Sequence, residues 1–210
     1  MHLTHNQLQQ ALSLQNFDAF KAQMHMAPSG REQMRPKPSH PPRESAVLVL
    51  FYPDDAHNHH IVLTKRTAHL RGHSGQVSFP GGKRDPEDTN LKATALREAH
   101  EEISLPSKQI TIIGTLTQMW IPPSNFNVQP IVATLPSVPA LTPNPDEVAQ
   151  ILHMPVRSLL DDATKKTTQM TFREQIYDVP YYDVDGHIVW GATAGMLSEL
   201  EQRLRCVLNN

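Results

Sequence analysis

The sequence predicts an α+β fold that combines several strands with few helices. Runs of β-branched and aliphatic residues, which are typical of strands, recur along the chain, whereas segments with helical spacing of apolar residues are few. The two kinds of segment do not alternate as repeating βαβ units, which argues against a doubly wound parallel sheet. No internal repeat is present. Together these observations indicate the α+β class.

Composition limits the function classes. The chain has 210 residues, of which 39% are hydrophobic, so fibrous and wholly disordered proteins are excluded. A net charge of −2 provides no electrostatic basis for binding a nucleic-acid polymer or an anionic membrane. No apolar run approaches the roughly 20 residues that span a bilayer, and a single cysteine, Cys206, fits a reducing compartment. We therefore expect a cytoplasmic protein without membrane or nucleic-acid partners.

The chain is expected to consist of an N-terminal helix and proline-rich strap over residues 1–43, followed by the main domain over residues 44–210. The amphipathic pattern of residues 1–25 predicts one short helix. Its apolar positions are Leu8, Leu12, Phe17 and Phe20. Five prolines between residues 28 and 42 exclude a continuous helix after it.

Two strands are predicted at the start of the main domain, over residues 45–52 and 61–65, because both are rich in aliphatic and β-branched residues. The loop between them is rich in polar and ionisable side chains. They include Asp54, Asp55, His57, His59 and His60. Such a cluster suits either a polar hairpin loop or metal ligation.

A loop rich in glycine and arginine (66–88) and a helix (90–103) come next, followed by strands over 110–117 and 126–135. Short helical pieces are predicted over 146–152 and 156–160. The pair Asp185-Gly186 between two short strands predicts a hairpin over 181–190. The last helix is predicted over 192–208, where leucines and a methionine recur on one side.

The middle helix carries the most informative pattern. Glu98, Glu101 and Glu102 fall within an arc of about 100° of its surface. Carboxylates at this spacing repel one another, although Arg97 offsets part of the repulsion by pairing with Glu101 at i,i+4. A divalent cation would offset far more, because hard oxygen ligands suit Mg²⁺ or Mn²⁺. Three glutamates taken alone are equally typical of a solvated acidic helix face.

The sequence around these glutamates resembles a known family. Residues 97–105, REAHEEISL, resemble the end of the Nudix box, G-x5-E-x7-R-E-U-x-E-E-x-G-U with U aliphatic, and Gly81-Gly82 stand where the box begins. The box is one residue longer than usual here. Thr89 occupies the position of its first glutamate, so that Asp88 or Glu87 is left to supply that acid.

The residues just upstream resemble a second pattern, L-L-T-x-R-S-x3-R-x3-G-x-V-x-F-P-G-G, carried by the coenzyme A pyrophosphatases of the Nudix family. Val62 replaces its first leucine and Thr67 its serine, while every arginine, glycine and proline spacing holds. Residues 144–148 (NPDEV) and 190–194 (WGATA) also look like this subgroup, so that the resemblance covers roughly residues 45–205.

The resemblance implies a Nudix fold, with a mixed sheet between helices, and hydrolysis of coenzyme A or its derivatives with Mg²⁺ or Mn²⁺. Glu98, Glu101 and Glu102 would hold the metal, and Arg97 would orient these glutamates. The substrate-binding residues would be Arg66, Arg71, Gly75, Gly81 and Gly82. The arginines can bind phosphate in bidentate fashion, and the glycines let it approach the backbone closely.

Three questions remain open from sequence. The proton of the attacking water goes to a carboxylate, for which Glu98 is the first choice and Glu147 the second. The substrate could be another nucleoside diphosphate derivative, such as ADP-ribose or NADH. The missing early glutamate also leaves room for a module that binds nucleotides without hydrolysing them.

Overall fold

The structure is a computed structural model that describes residues 1–30, 38, 40–69, 74–106, 109–172 and 174–209. Within these residues, the strands form one eight-stranded sheet and one three-stranded antiparallel sheet. The helices are α1 (His5–Leu12), α2 (Ala19–Met24), α3 (Leu91–Ile103), α4 (Val156–Leu159) and α5 (Gly191–Leu208), with a 3₁₀ turn at Asp162–Thr164. The first seven strands are β1 (Arg43–Pro53), β2 (His59–Arg66), β3 (Val77–Ser78), β4 (Gly81–Lys83), β5 (Thr111–Thr115), β6 (Met119–Ile121) and β7 (Phe126–Thr134). The last four are β8 (Val148–Pro155), β9 (Lys165–Phe172), β10 (Gln175–Val184) and β11 (His187–Trp190).

The large sheet is mixed, which confirms the predicted α+β class. Its main order is β3-β2-β1-β7-β5, with β8 on β2, β4 on β1 and β6 on β7. Strands β1 and β7 are parallel, and the other pairs are antiparallel. Ala46 of β1 pairs with Gly82 on one side and with Gln129 on the other, so that β4 and β7 flank the first half of β1.

Strand β1 is buried on both faces, because alternate residues point to opposite sides of the sheet. Leu48 and Leu50 belong to the core that Ala99 of α3 completes. Phe51 belongs to a second core, on the other face, that includes Leu197 of α5. The sheet therefore lies between α3 and α5, and α3 is held with one face against β1.

The N-terminal segment forms two helices, so the prediction of one helix over residues 1–25 is wrong. Asn16 adopts a left-handed conformation with φ 57°, which ends helical continuity, and the side chain of Asp18 then caps α2 by accepting from the backbone N–H of Lys21. Leu8 is buried in the same core as α5, whereas Phe20, predicted to be an apolar contact, is 47% exposed.

Two further segments differ from the prediction. Residues 66–88, predicted to be a loop, contain the short strands β3 and β4, and the helix predicted over 146–152 is wrong because Val148–Pro155 form a strand. Strand β8 pairs with β2 over its whole length, with Leu152 opposite Leu63. This pairing supplies hydrogen bonds and burial that local propensity does not reveal. The predicted hairpin is confirmed: Asp185 and Gly186 have φ values of 50° and 81°, as a tight turn between β10 and β11 requires.

Buried ionic groups of α5 tie the smaller sheet to the rest of the domain. Glu201 is fully buried and accepts hydrogen bonds from Tyr182 (2.5 Å), Lys165 (2.7 Å) and Arg205 (2.7 Å). Because its hydrogen-bonding capacity is satisfied, the Glu201 carboxylate fixes the position of β10 relative to α5.

Among the described residues, no helix combines the length and the apolar character that crossing a bilayer demands.

Candidate active site

Residues next to its two ends determine where helix α3 begins and ends. The side chain of Asn90 accepts hydrogen bonds from the backbone N–H groups of Lys92 (3.0 Å) and Ala93 (3.1 Å), which are otherwise unpaired. The helix ends at Ser104, which adopts φ 52°. Ala99 and Ile103 are fully buried against the sheet, so that the glutamates point away from this core.

The three glutamates have different environments. Glu102 is 7% exposed, and its Oε2 accepts a hydrogen bond from the backbone N–H of Gly81 (3.2 Å). The side chain of Glu98 is 16% exposed, and it lies so close to Gly82 that a Cβ on this glycine would be 2.5 Å from Glu98 Oε2. The side chain of Glu101 is half exposed. Glu98 and Glu102 therefore form the buried part of the predicted face.

Arg97 lies at the centre of an ionic cluster. Its Nε and Nη2 donate to the two carboxylate oxygens of Asp88 (3.1 and 3.0 Å), and its Nη1 contacts Glu98 (3.0 Å) and Glu101 (2.9 Å). Nη2 also donates to the carbonyl of Lys83 (3.1 Å). Every nitrogen of the guanidinium therefore contacts a carboxylate, and Nη2 also contacts the strand β4.

Asp88 is the acid that pairs with Arg97 in this box. It is buried, whereas Glu87 and Thr89 on either side of it are exposed. The Arg97 guanidinium beside it holds the pKa of the Asp88 carboxyl well below its usual range. Sequence left Asp88 and Glu87 as alternatives, since only the folded loop determines which of the two reaches Arg97.

We expect Asp88→Asn to lower the free energy of unfolding by about 1–3 kcal/mol at neutral pH, because it leaves one side of Arg97 without its charged partner. The Asp88 pKa is lower in the folded than in the unfolded chain, so its stabilisation is complete above the unfolded value and is lost as pH falls towards the folded value. Urea unfolding between pH 3 and 7 should therefore show a smaller acid-induced loss of stability in the variant. Parallel curves for both proteins would contradict this role.

A cavity of about 430 Å³ opens beside the buried glutamates. It brings together four of the predicted site residues, namely Arg66, Gly81, Gly82 and Glu102. Glu98 lies directly beneath Gly82, whereas Glu101 and Gly75 are not among the lining residues. Gly75 has φ 68°, which a turn in the preceding loop requires, and the predicted substrate residue Arg71 lies outside the described residues.

Glu147 also lines this cavity, although it is 45 residues from Glu102 in sequence. The loop before β8 is anchored to the end of α3, because the backbone N–H of Asn144 donates to the carbonyl of Glu102 (2.8 Å). On its other side, the N–H of Thr67 donates to the carbonyl of Glu147 (2.9 Å). These two bonds bring a third carboxylate beside Glu98 and Glu102.

Ionisation of the buried carboxylates is unfavourable, because they lie close to one another and away from water. Burial, together with the charges of Glu98 and Glu147, raises the pKa of Glu102 to about 8, although the hydrogen bond from the Gly81 N–H partly opposes the shift. Burial also raises the pKa of Glu98, against the opposing effect of Arg97. A positive charge beside these oxygens would therefore stabilise the ionised site.

This donor set fits Mg²⁺ or Mn²⁺, since it consists of carboxylate oxygens. Mg²⁺ is usually held by one or two carboxylates together with waters and substrate phosphates, so a closed protein cage is not needed. In the part of the chain that the structure describes, no group of three or more His, Cys, Asp or Glu side chains is arranged as such a cage. Glu98 and Glu102, with Glu147 nearby, provide the open kind of site.

The loop between β1 and β2 connects two antiparallel strands as a hairpin. Asp54 accepts a hydrogen bond from the backbone N–H of Asn58 (2.7 Å), and His59 Nδ1 accepts from the N–H of Leu3 (3.1 Å). The side chains of Asp54 and His59 are thus engaged in hydrogen bonds with backbone N–H groups, which favours the hairpin interpretation over metal ligation.

Comparison with known proteins identifies the family. Residues 42–175, which make up more than half of the chain, match the family described as the NUDIX domain. The chain belongs to the Nudix family. Two relatives carry the name "Uncharacterized Nudix hydrolase NudL". The one from Photorhabdus laumondii is 38% identical over 145 residues, covering 69% of this chain and 77% of the relative. The one from Pectobacterium atrosepticum is 36% identical over 174 residues, covering 78% and 84%.

Solved structures agree on the fold. The Nudix hydrolase RenU from M. smegmatis has a TM-score of 0.54 at 21% identity and covers 80% of this chain and 86% of its own. The MutT protein from Methanosarcina mazei Go1 has a TM-score of 0.51 at 16% identity and covers 83% and 100%. The predicted Nudix fold is thereby confirmed. Nudix hydrolases generally use divalent metal ions and act on small nucleotide substrates, which agrees with the carboxylate donors of α3.

Proposed function

We propose that this Nudix hydrolase cleaves the diphosphate of coenzyme A and its derivatives, releasing 3′,5′-ADP and 4′-phosphopantetheine or its acylated form. The observation that carries the proposal is the convergence of Glu102, Glu147, Arg66 and the Gly81-Gly82 backbone on one cavity. The sequence pattern of residues 62–82, which resembles that of the coenzyme A pyrophosphatases, supports this choice of substrate. The single cysteine agrees with a cytoplasmic location.

The metal residues in this proposal are Glu98, Glu101 and Glu102. When bound, Mg²⁺ or Mn²⁺ would neutralise diphosphate charge and lower the pKa of a bound water. Arg97 contacts Glu98 (3.0 Å) and Glu101 (2.9 Å) and so holds both carboxylates in position on α3. Glu102 is oriented separately, through the backbone N–H of Gly81.

The diphosphate is bound by Arg66, Gly81 and Gly82, with Arg71 and Gly75 contributing from the preceding loop. Arg66 lines the cavity, where its guanidinium can donate two parallel hydrogen bonds to phosphate oxygens. A Cβ at Gly81 would overlap the Ala46 carbonyl oxygen, and one at Gly82 would lie 2.5 Å from Glu98 Oε2. The two glycines therefore let β4 pack closely against β1 and Glu98 while its backbone lines the cavity, where phosphate can approach it.

The geometry favours Glu147 over Glu98 as the group that accepts the proton of the attacking water. Glu147 lines the cavity, whereas Glu98 packs beneath Gly82 and is paired with Arg97. A base must lie within hydrogen-bond reach of the water, while an anchored carboxylate suits metal binding better. Glu147→Gln should therefore lower kcat by a larger factor than it lowers the affinity for Mg²⁺, and Glu98→Gln should lower both strongly.

Substrate comparison tests the proposal. Coenzyme A carries a 3′-phosphate that dephospho-coenzyme A and ADP-ribose lack, and one charge-assisted hydrogen bond to it is worth roughly 10- to 150-fold in relative kcat/KM. We expect coenzyme A to be preferred over dephospho-coenzyme A, and ADP-ribose to be poorer still. Alanine at one of the basic residues of the loop should reduce the first preference and spare dephospho-coenzyme A. The basic residues over positions 65–84 are Lys65, Arg66, Arg71, Lys83 and Arg84, and the assignment of Arg66 and Arg71 to the diphosphate leaves Lys65, Lys83 and Arg84 for the 3′-phosphate.

The outcomes separate the alternatives. Equal kcat/KM values for coenzyme A and ADP-ribose would leave a general Nudix diphosphatase. Binding of these compounds without product release, with either Mg²⁺ or Mn²⁺, would indicate a nucleotide-binding module. The assay should include NADH as a fourth diphosphate, because it shares the adenosine diphosphate half with ADP-ribose and differs in the other half.

A further inference from the structure

Trp190 is a cavity residue to which the proposed hydrolysis assigns no role. It is the last residue of β11 and immediately precedes α5, and it pairs with Tyr181 across the hairpin. The ring of Phe172, at the end of β9, stacks on the indole with ring centroids 5.5 Å apart and an interplanar angle of 27°. One face of the indole is thus supported by a second aromatic ring, and Trp190 also lines the cavity.

The cavity wall contributed by β6, β7 and their connecting loop is apolar and well supported. It contains Ile121, Pro123 and Phe126. The guanidinium of Arg43 lies over the Phe126 ring, 4.1 Å from its centroid, and donates a hydrogen bond to the carbonyl of Ser124 (2.9 Å). This wall is therefore held in place from behind, and it offers apolar surface to a ligand.

The apolar wall lies at a distance from the diphosphate-binding strand. Gly82 and Gln129 flank Ala46 on opposite sides, so that β4 and β7 are two strand spacings apart, or roughly 10 Å. Trp190 lines the same cavity, so a substrate whose diphosphate lies at Gly81 and Gly82 has two surfaces for its two arms, the apolar wall across β1 and the indole of Trp190.

We propose that the adenine ring of the substrate stacks on Trp190, and that Phe172 is a positioning residue that holds the indole in place. The inference rests on the proposed function, because it concerns the arm of a substrate whose diphosphate occupies the carboxylate site. A supported, planar indole complements a flat heteroaromatic ring. The pantetheine arm of coenzyme A is flexible and carries two amides, so it gains less from a rigid aromatic face.

Tryptophan fluorescence provides a direct test, because the chain has only two tryptophans. In a Trp120→Phe background, all tryptophan emission comes from Trp190. With Mg²⁺ present, ADP should quench this emission in a saturable manner, whereas inorganic pyrophosphate and 4′-phosphopantetheine should not. The matched control is Trp190→Phe, in which emission comes from Trp120. Its Nε1 donates to Asn125 Oδ1 (3.0 Å), and ADP should quench it much less.

Kinetics on coenzyme A provide the second readout. Stacking of one base is worth roughly 5- to 150-fold in affinity, so Trp190→Leu should raise KM at least about 5-fold and change kcat much less. Trp190→Phe should retain most of the affinity, and Phe172→Leu should give an intermediate KM. If Trp190→Leu fails to fold, the fluorescence experiment decides whether adenine stacks on Trp190.

Two results would overturn the inference. The first is binding of ADP without quenching of the Trp190 emission. The second is quenching by 4′-phosphopantetheine instead of ADP, which would place the other arm of the substrate on the indole. Failure of the proposed function looks different. Quenching by ADP in a protein that does not hydrolyse coenzyme A would keep the adenine site and reject the proposed substrate.

Discussion

Glu102→Gln is expected to lower kcat/KM for coenzyme A at least about 100-fold while the protein remains folded. The amide keeps the size of the side chain and removes the charge that a hard cation needs. Glu102 is the most buried of the three helix glutamates, and it lines the cavity beside Gly81. The same substitution at Glu98 should be severe, and at the half-exposed Glu101 it should be milder. Initial rates at saturating Mg²⁺ measure each effect.

Near pH 8 and without metal, Glu102→Gln should be more stable than the wild-type protein, although it is less active. Because the pKa of Glu102 is raised to about 8 in the folded protein, the folded chain retains a proton that the unfolded chain releases near pH 4.5. The wild-type protein without metal should therefore lose stability as pH rises from 5 to 8, and Glu102→Gln should not. Glu87→Gln, an exposed position in the loop before α3, is the matched control and should alter neither quantity. Near-normal turnover of Glu102→Gln would remove α3 from the active site.

Gly82→Ala should reduce turnover about 100-fold with little loss of stability. The added methyl group would lie 2.5 Å from Glu98 Oε2 and Cδ, so the carboxylate must move. The atoms that it meets are the far end of a flexible side chain, which can move without disturbing the core. A displacement of about 1 Å in a catalytic constellation costs on the order of 100-fold in rate. Steady-state kinetics and thermal unfolding of the same sample measure the two effects.

Gly114→Ala is the crossed control for this substitution. Its methyl group would lie 2.9 Å from Leu12 Cδ1, between β5 and α1 and away from the cavity. Leu12 packs against the core that includes α5, so displacing it costs apolar contacts, whereas the Glu98 carboxylate makes none. We therefore expect Gly114→Ala to lower the free energy of unfolding by about 1–3 kcal/mol, as overpacking does, and to spare kcat. If Gly82→Ala proved unstable and Gly114→Ala inactive, the close contact between β4 and Glu98 would not be the functional feature inferred here.

Local chemistry explains why much of this fold was predictable from sequence. The apolar spacing of α3, its cap at Asn90 and its carboxylate face all lie within 14 residues, and the Asp185-Gly186 turn joins strands that are adjacent in the chain. Features of this kind depend on dihedral preferences and hydrogen bonds between near neighbours. For the same reason, strands β1 and β2 were located to within a few residues.

Contacts between distant segments account for the errors and omissions. Residues 148–155 became a strand because β2, some 85 residues earlier in the chain, offered them a partner. The position of Glu147 depends on a backbone hydrogen bond between Asn144 and Glu102, and the cavity role of Trp190 depends on how β11 lies against the large sheet. None of these contacts leaves a periodic trace in the residues concerned.

The sequence by itself determined which residues we propose as the site, namely three glutamates and an arginine on one helix and a glycine pair that precedes it. Only the tertiary structure decided which of these residues are buried and which of them pair. It buried Glu98 and Glu102, left Glu101 half exposed, and chose Asp88 as the partner of Arg97. Burial is the reason, because a carboxylate's charge becomes costly only where the rest of the chain excludes water, and that exclusion is a property of the packed sheet and helices.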